Sequence, residues 1–94
     1  MISREEYAVK ASDLITTLFS ALVDDVSSVR IEVVFGEQTV QFKVNVHPSN
    51  IGQALGKKGK NIEAVRRILY SFANKHRIRS VLELEGIRPN AIHS

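Results

Sequence analysis

The spacing of apolar residues changes along this 94-residue chain, and each change marks an element. Between residues 4 and 24, Tyr7, Ala11, Leu14, Ile15, Leu18 and Leu22 recur at helical spacing, within about 100° of one another at 3.6 residues per turn. Lys10, Asp13, Thr16 and Ser20 point away from that stripe. Ser3, with Glu6 three residues on, has the pattern of a capping box, which satisfies the first amides of a helix. "DDVSS" ends the segment, and the period drops to two. Val29, Ile31, Val33 and Phe35 share one face of "VRIEVVF", and Val40, Phe42, Val44 and Val46 share one face of "TVQFKVNV". "GEQ" between them predicts a hairpin, and the wetter opposite faces predict a sheet covered on one side only.

Helical spacing then resumes twice. "HPSN" predicts the start of a short helix, with Pro48 in its first turn and Ser49 or Asn50 as cap, followed by apolar Ile51, Ala54 and Leu55. A longer helix is predicted from Lys60 to His76, with a stripe of Ile62, Val65, Leu69, Phe72 and Ala73. "VLELE" predicts a third strand over 81–85, and residues 87–94 read as a flexible tail. The order α-β-β-α-α-β predicts an α+β fold: a three-stranded sheet covered on one face by three helices, a single domain over residues 1–86.

The two later helices are separated by Gly56-Lys57-Lys58-Gly59, a break that a helix would not choose for stability, since interior glycine costs about 1 kcal/mol relative to alanine. Glycine does allow positive φ and close approach of a ligand to the main chain. The helix after the break begins with unpaired amides at the positive end of its dipole, so a phosphate can bind there. Lys57, Lys58 and Lys60 add charge at the same point. Gly52, one turn earlier and inside the short helix, has two readings: close approach of a backbone or base, or tight packing against the first strand.

Composition sharpens this picture in one respect. The chain carries a net charge of +3, distributed unevenly. Residues 1–46 hold four basic and seven acidic side chains, whereas residues 47–79 hold eight basic ones against Glu63 alone. Such a block suits a polyanionic partner or a solvated helix face; charge by itself does not separate the two.

The stretch "IGQALGKKGKNI" is similar to the core of a KH domain, whose signature is a helix–GxxG–helix loop with an aliphatic residue shortly after, here Ile62. The element order resembles the prokaryotic, type II arrangement over residues from about 10 to 85. With "ALVDD" before the first strand and "GKKGKNIEAVR" after the break, the chain looks most like the bacterial KhpA (YlqC-like) family. It departs from the family where Ala54 and Leu55 replace two residues that are often β-branched, and in having a tail after the last strand. The resemblance implies binding of single-stranded RNA, about four nucleotides in a groove beside the two helices. It implies that Gly56, Lys57, Lys58 and Gly59 hold phosphate, that Gly52 and Leu55 border the groove, and that Lys60, Arg66 and Arg67 supplement the charge. Arg66, at the edge of the apolar stripe, has a second reading as a side chain lying over the core. It further implies a role as RNA chaperone or post-transcriptional regulator, working as a homodimer or with a KhpB (Jag-like) partner. A protein-interaction module that kept the fold is the alternative.

Other chemistries find no foothold. A nucleotide-hydrolase phosphate loop needs four residues between its glycines and then Lys-Ser/Thr, whereas Gly52 and Gly56 enclose three residues and Lys57 is followed by Lys58. The chain has no cysteine, and His47, His76 and His93 show no metal-ligand spacing. No enzymatic activity, cofactor or metal is expected. Without a signal-like start or a long apolar run, a cytoplasmic protein with no membrane role is expected.

Overall fold

The computed structural model describes residues 2–86. Helix α1 spans Arg4–Leu22, strands β1 and β2 span Arg30–Phe35 and Thr39–Asn45, helices α2 and α3 span Ile51–Leu55 and Lys60–Lys75, and β3 spans Arg79–Leu84. The elements follow the expected order, with β3 starting two residues earlier than its pattern suggested. The predicted tail lies outside the described residues.

The capping box at the start of α1 is formed. Glu6 N–H donates to Ser3 Oγ at 3.1 Å, and Glu6 Oε1 accepts from Ser3 N–H at 3.4 Å. The buried face of α1 is turned from the predicted stripe. Tyr7, Ala8, Ala11, Ile15 and Phe19 are buried, while Leu14, Leu18 and Leu22 are only partly so. The helix packs against both α3 and the sheet, and two contact surfaces bury a wider arc than one stripe supplies.

The hairpin is closed by Gly36 N–H donating to Thr39 O at 2.8 Å, and its register places Val33 opposite Phe42 and Phe35 opposite Val40. Val40, Phe42 and Val44 on β2 are fully enclosed because β2 is the central strand of the order β1-β2-β3. Phe35, expected on the covered face, remains 50% exposed at the hairpin end of β1. The Arg4 guanidinium sits over its ring at 5.5 Å, tethered to the hairpin carbonyls of Gly36, Glu37 and Thr39.

Strand β3 pairs with β2 in parallel, Leu82 opposite Phe42. Parallel neighbours need a crossover, and α2, the glycine break and α3 supply it. The outer edge of β3 is covered: Leu82 O accepts from Arg66 Nε at 3.1 Å, and Leu82 N–H donates to Tyr70 Oη at 3.3 Å. Two side chains one helical turn apart thereby occupy both outward groups of Leu82, in the middle of the edge where another strand could pair.

Tyr7 forms the hub of the core, edge-on to Phe42 at 6.0 Å and tilted against Phe72 at 5.1 Å. Its hydroxyl is buried without a hydrogen-bond partner. Burial pushes its pKa up, offset in part by the nearby Ser80 hydroxyl, which lies beyond hydrogen-bond distance and itself donates to Val40 O at 3.1 Å. An unpaired buried hydroxyl costs about 1–3 kcal/mol, whereas its removal leaves the ring packing intact. Tyr7→Phe is therefore expected to hold stability constant or raise it by up to about 1 kcal/mol in urea denaturation; a loss beyond that range would show that the hydroxyl is paired.

Candidate nucleic-acid interface

A five-residue helix has little stability of its own, so α2 must be held by its surroundings. A 3-10 turn over Pro48–Asn50 leads into it, capped by His47, whose Nδ1 accepts from Ser49 N–H at 3.1 Å. Of the two expected caps, Asn50 does stand at the N-cap position of α2, but its side chain makes no capping bond there. Asn50 instead ties two segments together, being buried with its Oδ1 accepting from Asp25 N–H at 2.8 Å. Gln53 Oε1 accepts in the same way from Asp24 N–H at 2.9 Å. Two side chains of this segment thus take up free amides in the α1–β1 connection and moor α2 to it. The Ser27 and Ser28 hydroxyls donate to the Asp25 carboxylate at 2.6 and 3.0 Å, holding its pKa below the usual carboxylate range.

The chain then turns sharply. Gly56 has φ +74° and ψ 171°, Lys58 φ +57°, and Gly59 φ +73°. Gly56 N–H donates to Gly52 O at 2.9 Å and closes α2, and Gly59 N–H donates to Gly56 O at 3.0 Å in a single 3-10 turn between the helices. Gly56 is required by more than its φ. A Cβ there would lie 2.5 Å from Asn61 Cγ, because Asn61 folds back across the turn and its Nδ2 donates to Gln53 O at 2.9 Å. Asn61 gave no signal in the sequence beyond being polar in the first turn of a helix, yet it fixes how α2 meets α3.

Gly59 has a different environment. A Cβ there would meet only Ile62 Cγ2, at 3.9 Å, and α3 starts from Gly59 with no side-chain cap on its first amides. Exposed Lys57, Lys58 and Lys60 stand at this positive helix end, with the Lys60 N–H itself donating to Lys57 O. Gly52 is exposed as well, and a Cβ added there would meet nothing within 4 Å. Tight packing against the first strand is thus excluded as its reason. Leu55 is half-buried against the core, and Ala54 beside it is fully enclosed.

The remaining predicted cations separate. Arg67 is exposed and shares a shallow cavity of about 220 Å³ with Lys60, Glu63 and Ala64 on the outer ridge of α3. Arg66 is half-buried on the flank facing β3, where its Nε is bonded to Leu82 O. The structure therefore gathers Gly56 through Lys60 at one point, with Arg67 two turns along the ridge and Arg66 around the helix. Among the described residues, no group of three or more His, Asp or Glu could hold a metal ion, and no helix is long and apolar enough to cross a membrane.

Residues 12–84 match the family described as KhpA/KhpB, KH domain. This chain belongs to that family. It is 33% identical over 72 residues to the RNA-binding protein KhpA of Chlamydia pneumoniae, an alignment covering 77% of this chain and 92% of that protein. The RNA-binding protein KhpA of Aquifex aeolicus is 35% identical over 72 residues, covering 77% and 91% respectively. The KH signature, a GxxG turn between two helices, is here Gly56 to Gly59, and its geometry has two causes. Gly56 makes room for the Asn61 brace, and Gly59 leaves the start of α3 uncovered. Asn61→Ala is expected to lose about 1–2 kcal/mol in thermal or chemical denaturation by leaving the Gln53 carbonyl unpaired at the turn; an unchanged midpoint would show that the brace is dispensable.

Proposed function

We propose that this protein binds single-stranded RNA through the Gly56–Gly59 turn, as a cytoplasmic chaperone or post-transcriptional regulator that catalyses no reaction. The observation that carries this reading is the exposed start of α3, where uncapped amides, two left-handed glycines and Lys57, Lys58 and Lys60 converge. An RNA backbone laid there gains hydrogen bonds from the main chain and charge neutralisation from the lysines. The open space beside Gly52 leaves room for a base or sugar to approach α2. Gly52 and Leu55 border the groove, with Arg67 and Arg66 on its margins. The relatives named RNA-binding protein KhpA support the same assignment.

No aromatic residue lies in the turn, so a single module binds weakly and with little base preference. Contacts to three or four phosphates make affinity fall roughly tens-fold between 50 and 200 mM salt. Useful affinity then requires a second module, supplied by a KhpB-type (Jag-like) partner or by another copy of the chain. The β1 edge favours a protein contact: Val9 and Phe35 are exposed there and line an apolar groove between α1 and β1.

In Lys57→Asp/Lys58→Asp, binding of a labelled single-stranded RNA by fluorescence anisotropy is expected to vanish while the melting temperature stays within about 3 °C. Aspartate tolerates the left-handed conformation at position 58. Retained binding would remove the turn as the site. Gly52→Ala is expected to stabilise the fold by about 0.5–1 kcal/mol, because it relieves a helical glycine in open space, and to weaken RNA binding at the same time. Unchanged affinity in that variant would place the RNA away from α2.

A further inference from the structure

Among the described residues, the non-glycine positions with positive φ are Lys58, at +57°, and Arg77, at +55°. Both are cations, and they stand at opposite ends of α3. Lys58 belongs to the turn already described; Arg77 does not. It closes α3 in a Schellman motif, with Ile78 N–H donating to Ala73 O at 2.9 Å and Arg77 N–H to Asn74 O at 3.1 Å. Glycine is the usual occupant of that position, because a Cβ crowds the backbone in the left-handed region. The helix dipole favours a cation in the last turn, but Lys75 already provides one without strain. It accounts neither for a side chain where glycine is more stable nor for Arg79 at the start of β3.

The surroundings form a site. A cavity of about 460 Å³ opens between the end of α3 and the start of β3, lined by Tyr70, Asn74, Arg77, Arg79 and Ser80. The guanidinium groups of Arg4, Arg30 and Arg66 donate to backbone carbonyls, whereas Arg77 and Arg79 are exposed at the mouth of this cavity. Arg66, Tyr70 and buried Ala73 follow one another at spacings of four and three on the flank of α3 that faces β3, and Arg77 stands just past the end of that helix. Half-buried Arg66 and Tyr70 therefore lie along α3 between the glycine turn and the corner at Arg77 and Arg79.

We infer that Arg77 and Arg79 form a second phosphate contact, so that an RNA strand held at the Gly56–Gly59 turn continues along α3 to the α3–β3 corner, with Tyr70 offering a ring to a base on the way. The inference rests on the RNA-binding reading above and extends its footprint. Helix α3 has 16 residues and is about 24 Å long, which corresponds to about seven nucleotides stacked at ~3.4 Å. The footprint is thus longer than the four nucleotides a single KH groove holds.

Fluorescence anisotropy with oligouridylates of four, eight and twelve nucleotides tests this, using the full chain, Arg77→Gly, Arg77→Gly/Arg79→Gln and Lys57→Asp/Lys58→Asp. The wild type is expected to bind the 8-mer about tenfold more tightly than the 4-mer. The double arginine variant should lose that gain, keep its 4-mer affinity and show a salt slope shallower by about 1.4, the share of two single-strand phosphates. Arg77→Gly should melt at a higher temperature than the wild type, so that weaker 8-mer binding in it cannot come from unfolding. If the arginine variants bind the 8-mer and 12-mer as the wild type does while the lysine variant has lost binding, the second contact is wrong and the turn remains the site. If the lysine variant still binds, the RNA-binding reading fails, and this extension fails with it.

Discussion

One carboxamide spans the break between α2 and α3. Asn61 reaches back over the turn to the carbonyl of Gln53, and it can do so only because Gly56 has no Cβ to block the path. The bond gives a partner to one of the carbonyls that α2, ending after five residues, would otherwise leave open. It also sets the angle at which α3 departs, and with it the direction of the uncapped amides at the start of α3. Gly59 places no side chain beside the start of α3, which has no side-chain cap. Together with the bond from Gly59 N–H to Gly56 O, this brace holds the turn apart from both a continuous helix and a loose loop.

The short helix depends on the same principle. Asn50 and Gln53 accept amides from Asp25 and Asp24, so the connection after α1 and the approach to α2 hold each other in place. Burial of Asn50 removes water as a competitor for that bond. Without these ties, five residues would be too few to nucleate a helix. The rigid turn therefore stands on a chain of side-chain-to-backbone bonds that leads back to α1 and the core around Tyr7 and Phe42.

The two sheet edges are treated differently. Arg66 and Tyr70 cover the outer groups of β3, while β1 ends in an apolar margin of Val34 and Phe35 beside Val9. Covering β3 keeps another strand from adding beside α3, where the basic residues lie.

Much of this was legible from local patterns. The Ser3–Glu6 box, the period-two runs of β1 and β2, the hairpin at Gly36 and the glycine break each depend on neighbours a few residues apart, and sequence spacing encodes such relations directly. The family resemblance rested on that same break within that order of elements. What sequence alone left open depends on contacts between distant residues. The parallel pairing of β3 with β2, the turned face of α1, the capping by His47 and the burial of Asn50 follow from which surfaces meet. Gly52 shows the distinction most clearly: its helical position was plain, but only the folded chain reveals that the space beside it is empty. Local backbone preferences and apolar periodicity thus determined the elements and the place of the turn. Tertiary packing decided which polar side chains brace it and which cations remain free, because hydrogen-bond partners and solvent exposure are set by residues far apart in the chain.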